Sequence, residues 1–200
     1  MYAASCLSLG AILLPDIDTS NSMPDLTLDQ ISADDLRKAA YHEIGHKIIY
    51  ELVGGAGNAF VWKNHSGNPD EVAWLGQFRP SSCPEQQYEA FTCAGINVPA
   101  PPPNWRVMYG MAGVVAEQIL RGERDVEFIA GHLYLRICCD EISATDAESI
   151  GVTDIDDFEV DIKTVEQCAQ LLLEHWPQVK KEAEDLIADA SAEAWGTVTV

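Results

Sequence analysis

Residues 39–55 read "AAYHEIGHKIIYELVGG", and this stretch carries more chemical information than any other in the chain. Ser32, followed three positions later by Asp35, is a capping box, and the sequence from Ala33 to about Val53 is rich in helix formers until Gly54 and Gly55 stop it. His42 and His46 therefore fall one turn apart on one helix face, where both ring nitrogens can reach a common ion at about 2 Å. Glu43 is rotated about 100° from His42, so it can address a metal-bound water without being a ligand. Zinc lowers the pKa of such a water to about 7, and a neighbouring carboxylate can take its proton. Gly45 costs the helix about 1 kcal/mol relative to Ala, which makes sense if another backbone passes close by. The alternative for His42 and His46 is a pair of hydrogen-bonded core histidines.

Outward from this helix, "NAFVWKN" and "EVAWLGQFR" are β-branched and aromatic runs separated by "HSGNPD", whose Gly, Asn and Pro favour a turn. They predict a hairpin. Residues 80–104 read as irregular with one short helix after Pro84, and "VPAPPP" as a stiff extended connector. Asn104 is the expected cap of a helix running to Gly122, followed by a helix over about 124–140. Ser143 and Asp146 form another capping box opening a short helix at "ATDAESI", and two closing helices begin near Asp161 and Pro177. The expected class is mainly α (α+β): an N-terminal arm over residues 1–30, then one helical domain over 31–200 with a small β-hairpin.

Composition narrows the partners. Twelve Lys and Arg against 32 Asp and Glu give a net charge of −20, which repels phosphate backbones and anionic lipid, so neither nucleic acid nor a membrane is expected as a partner. The opening "MYAASCLSLGAILLP" has no Lys or Arg and is too short to span a bilayer. Six cysteines without a C-x-x-C pair point to reduced thiols and a cytoplasmic setting, with a Cys83–Cys93 bridge as the alternative. The acidic run 154–161 lacks the glycine of an EF-hand loop, so calcium is not expected. His65 reads as a solvated turn residue and His175 as a helix-end residue favoured by the dipole.

A catalytic zinc takes a third protein ligand and keeps an open position. Glu117, His132, Asp140, Glu141 and Asp146 are the candidates, and spacing alone does not choose among them. Glu117, in the apolar "VVAEQIL", would be a buried carboxylate that demands a partner, so it can serve as a ligand or as an acceptor orienting a histidine.

The order of "AAYHEIGH", a strand pair ending "AWLGQFRP", "GMAGVVAEQILRG" and "SATDAESI" resembles the peptidase domain of FtsH-type zinc metalloproteases over residues 33–195. The resemblance implies His42, His46 and Asp146 as the zinc ligands and Glu43 as the general base. It implies that Glu117 acts behind a ligand, and that the strand at 71–79, with Ala73, Trp74, Leu75 and Gly76, is an edge to which extended substrate adds. The chain departs from the family at Val114, where the family has arginine, and in the extra length at 80–104. Its 200 residues contain no G-x-x-x-x-G-K-[ST] loop and no spanning segment. The expectation is an ATP-independent zinc endopeptidase acting on unfolded, flexible or partner-delivered polypeptide, as a homo-oligomer or beside a separate ATPase or adaptor chain. The competing readings are a non-catalytic protein-binding module that keeps the zinc, and a soluble regulatory H-E-x-x-H peptidase of another family with a nearer third ligand.

Overall fold

The computed structural model describes residues 27–68, 71–152 and 159–196. The arm expected over residues 1–30 therefore lies almost wholly outside the described residues, as do Cys6 and most of the acidic run. Among the described residues, seven helices and a two-stranded antiparallel sheet follow in the order α1 (Leu28–Leu52), β1 (Ala56–Lys63), β2 (Trp74–Ser82), α2 (Pro84–Cys93), α3 (Trp105–Leu120), α4 (Val126–Cys138), α5 (Ala144–Ile150), α6 (Ile162–Glu174) and α7 (Trp176–Gly196). The mainly helical class with a small hairpin is the one the sequence implies. No helix among the described residues is long and apolar enough to cross a membrane.

The helix bearing both histidines begins earlier than the sequence suggested. Its cap is Thr27, whose side chain accepts from the Gln30 amide while the Gln30 side chain accepts from the Thr27 amide. Leu28 thus opens the helix, and the boundary drawn at residue 30 falls inside its first turn. Ser32 and Asp35 do not form the expected cap, because the start of β2 claims both: Ser32 Oγ accepts from the Trp74 indole and Asp35 Oδ2 from the Ala73 amide. Two side chains suited to helix starts thereby fasten the hairpin onto α1.

The core forms between α1 and α3, with α6 and α7 closing it. Tyr41, Ile44, Ile48 and Ile49 of α1 meet Met111, Val114, Val115 and Ile119 of α3, then Val165 and Leu172 of α6 and Val179 of α7. Each buried aliphatic side chain contributes about 1.5–3 kcal/mol, so this seam dominates stability. Gly45 faces Ala112 and Ala116, and a Cβ there would stand 2.7 Å from the Ala112 carbonyl oxygen. The close backbone expected beside Gly45 is thus α3. Gly110 repeats the device on α3: its missing side chain admits α5, whose Asp146 carbonyl oxygen would lie 2.9 Å from a Cβ.

In the hairpin Ala59 pairs with Phe78, Val61 with Gly76 and Lys63 with Trp74, with a bulge between Ala56 and Gly57. Among the described residues β2 pairs only with β1. Asn104, expected as a side-chain cap of α3, makes no capping bond; its amide donates to Thr164 and Gln167, tying the start of α3 to α6. Asp125, Ser143 and Asp161 cap α4, α5 and α6 through their side chains. Cys83 and Cys93 are free thiols, and Cys83 Sγ donates to Glu85 at 2.8 Å.

Candidate metal centre and cleft

His42 and His46 project from α1, each with its Nδ1 already committed. His46 Nδ1 lies 2.7 Å from the Tyr109 carbonyl oxygen, which can only accept, so the proton sits on Nδ1. His42 Nδ1 lies 2.7 Å from Glu117 Oε1. Glu117 is ionised: burial works against its charge, but His42 and the Arg136 guanidinium outweigh that and hold its pKa down at about 2. Both histidines therefore turn Nε2 toward one point, the two atoms standing 3.0 Å apart. Asp146 completes the group, with Oδ1 3.4 Å from His46 Nε2 and Oδ2 3.7 Å from His42 Nε2.

Asp146 reaches this position by a short route. Ser143 Oγ accepts from the Asp146 amide at 3.0 Å, fixing the first turn of α5. In a reciprocal capping box the Asp146 carboxylate would turn back to the cap; here it faces the histidines, while Gly110 lets α5 approach α3.

Two imidazole lone pairs and a carboxylate around one point repel unless a cation lies among them. Burial disfavours that charge on either ring. At His42 the contacts to Asp146 and Glu117 prevail and raise the pKa to about 10, whereas burial and the charge of His42 push His46 down to about 4. The Asp146 carboxyl is lowered against its burial by His42 and His46. The arrangement thus holds one positive charge, which a proton on His42 or a metal ion can supply. The ligand atoms of His42, His46 and Asp146 all lie within 4.8 Å of one another, so the three residues fit a metal ion.

The remaining candidates separate clearly. Glu117 acts as the acceptor that orients His42. His132 is half-buried on α4 and stands outside the cluster, as does the exposed Asp140 in the turn that follows, at a φ of 56°. Glu141 lines the cleft, and its carbonyl oxygen accepts from Arg136. Sequence reasoning did not single out Arg136, although a buried Glu117 called for a cation. Arg136 Nη1 donates to both Glu117 oxygens at 2.9 and 3.0 Å, and Nη2 donates to the Glu141 carbonyl at 3.0 Å. One guanidinium so links the support of His42 to the turn that delivers Asp146. Tyr109 was also missed, because a backbone carbonyl leaves no trace in the residue type.

Glu43 is 8 % exposed and lines a cleft of about 460 Å3 together with His42, His46, Asp146, Gly76, Gln77 and Phe78. Burial raises its pKa to about 7, against the opposing pull of His42. A Cβ at Gly76 would lie 2.5 Å from Glu43 Cγ, so the glycine makes room for the carboxylate. Of the four substrate-strand candidates, Gly76 alone lines the cleft. Ala73 precedes β2, with its amide bound to Asp35 and its carbonyl oxygen to Asn64; Trp74 is buried, and Leu75 is exposed. The part of β2 that meets the cleft is Gly76–Phe78. No family model and no curated protein matches the chain.

Proposed function

We propose that the chain is a zinc-dependent endopeptidase of FtsH-like peptidase architecture, with His42, His46 and Asp146 holding the ion and Glu43 as general base. The observation that carries this reading is a buried carboxylate, Glu43, lining the same cleft as a two-histidine, one-carboxylate cluster whose histidines are each oriented by an Nδ1 acceptor. Two nitrogens and one carboxylate oxygen suit zinc in its catalytic form, and a site that served only to brace the fold would have no use for Glu43. The order of the four motifs shared with FtsH-type peptidases points the same way.

When bound, the ion supplies Lewis acidity, lowering the pKa of a water and polarising a carbonyl. Glu43 would take a proton from the attacking water and return it to the departing amine. Glu117 and the Tyr109 carbonyl keep both rings in the tautomer that offers Nε2. Gly76–Phe78 gives an extended polypeptide a strand edge to lie along, where backbone contacts tolerate many side chains. Unfolded or flexible polypeptide is the substrate such an edge suits.

Elemental analysis of protein purified without added metal or chelator should give about one zinc per chain. Cleavage of an unfolded protein such as casein should fall by about 10²- to 10⁴-fold in Glu43→Gln, with the zinc retained. Undiminished cleavage in that variant would falsify the mechanism. Zinc without cleavage in the wild type would favour the binding module.

A further inference from the structure

Tyr109 contributes its backbone carbonyl to His46, which leaves its side chain to be explained. The ring lies 5.1 Å from the His46 ring, centroid to centroid, and is packed by Tyr50 at 5.3 Å, Phe78 at 6.0 Å and Trp105 at 6.5 Å. Four rings on one side chain leave it little freedom to swing. Its hydroxyl nevertheless makes no hydrogen bond among the described residues, and it is not sealed from solvent. Tyr109 lines the same cleft as Glu43 and Asp146. A rigid O–H without a partner inside a catalytic cleft is a preorganised donor.

We propose that the Tyr109 hydroxyl is the hydrogen-bond donor that stabilises negative charge on the scissile carbonyl oxygen, a role that rests on the peptidase reading above. As the water oxygen bonds to the carbonyl carbon, one water proton passes to Glu43 and the C=O π pair moves onto oxygen. Tyr109 donates a hydrogen bond to that oxygen and keeps its own proton. Collapse restores the C=O bond, breaks the C–N bond and sends the proton from Glu43 to the amine, giving a carboxylic acid and an amine. A phenol ionises only at about pH 10, so the hydroxyl carries its proton at neutral pH and can donate.

Other donors in the cleft are less suited. Arg136 is committed to Glu117 and Glu141, and its Nε is enclosed. Gln77, Ser143 and Thr145 stand exposed, without the packing that would hold a donor in place.

Tyr109→Phe keeps the ring and the carbonyl that His46 uses while removing only the hydroxyl. Its kcat on a quenched peptide should fall by about 100-fold, with KM and zinc content within about twofold of the wild type. A phosphinic peptide, which places an anionic oxygen where the carbonyl oxygen becomes charged, should bind it correspondingly less well. A kcat within twofold of the wild type overturns the role alone, and loss of zinc in Tyr109→Phe overturns it by making the residue part of the scaffold. A wild type that neither cleaves peptide nor binds the phosphinic compound overturns the role and the peptidase reading together.

Discussion

Asp146 and Arg136 show how much of the site rests on single side chains. Asp146→Ala removes one of three proposed ligands, so zinc affinity, measured by competition with a chromophoric chelator, should fall by more than about a hundredfold. Retention of wild-type affinity would point to a nearer third ligand and a different peptidase family. Arg136→Gln leaves all three ligands in place but frees Glu117 and the turn at Glu141. Outer contacts of this kind are worth about 10- to 100-fold in metal affinity, and Arg136→Lys should recover little because a lysine cannot span both acceptors. At this scale the motif itself was legible: His42, Glu43 and His46 follow from spacing on a helix. Glu117 was legible as a carboxylate in need of a partner, whereas the identity of that partner was not.

Among the elements, α1 and α3 decide whether the site exists, and Gly45 decides how closely they cross. Gly45→Ala relieves about 1 kcal/mol of helix cost, yet its Cβ would press on the Ala112 carbonyl at 2.7 Å. Overpacking of this kind costs about 1–3 kcal/mol, which offsets or exceeds that gain, so urea unfolding should report no gain and a net loss of up to about 2 kcal/mol. A more stable variant would mean that the helices part easily. Capping offers a second contrast: Thr27→Ala should cost about 1 kcal/mol as the loss of a true cap. Both Thr27 with Gln30 and Ser32 with Asp35 fit the local pattern of a helix start. The second pair is drawn off by Trp74 and Ala73, contacts some 40 residues away that no local window contains.

For the whole molecule, a ligand that binds only the folded chain stabilises it by mass action. Zinc at a hundred times its dissociation constant should add about 2.7 kcal/mol, seen as a rise in melting temperature that EDTA reverses. Acid should act through Glu85, which accepts from Cys83, the Trp105 indole and Arg106. Burial opposes its charge, but the Cys83 and Arg106 contacts outweigh it and hold the pKa at about 2, against 4.5 in the unfolded chain. A depressed carboxyl stabilises the fold above its unfolded pKa, and that contribution fades as pH falls from 4.5 toward 2. Because the Glu85 side chain is 38 % exposed and its partner Arg106 is 66 % exposed, solvent screening limits the effect to no more than about 1 kcal/mol. Melts at pH 6 and pH 3 should show the gap between wild type and Glu85→Gln closing; an equal gap at both would assign the stability to packing.

By itself the sequence determined the mainly helical class, the hairpin, most element positions and the helix that carries both histidines, because these follow from short-range spacing, capping chemistry and turn residues. Spacing left five candidates for the third ligand and only the motif resemblance pointed to Asp146; it is the tertiary structure that sets Asp146 beside the histidines. His46 and Asp146 are 100 positions apart in the chain. What brings them together is α5 packed on α3 at Gly110, a contact between distant segments that depends on the missing Cβ and not on any local preference. The same holds for Arg136 on Glu117 and for Gly76–Phe78 at the cleft, where packing selects one partner from several that the residue types alone would allow.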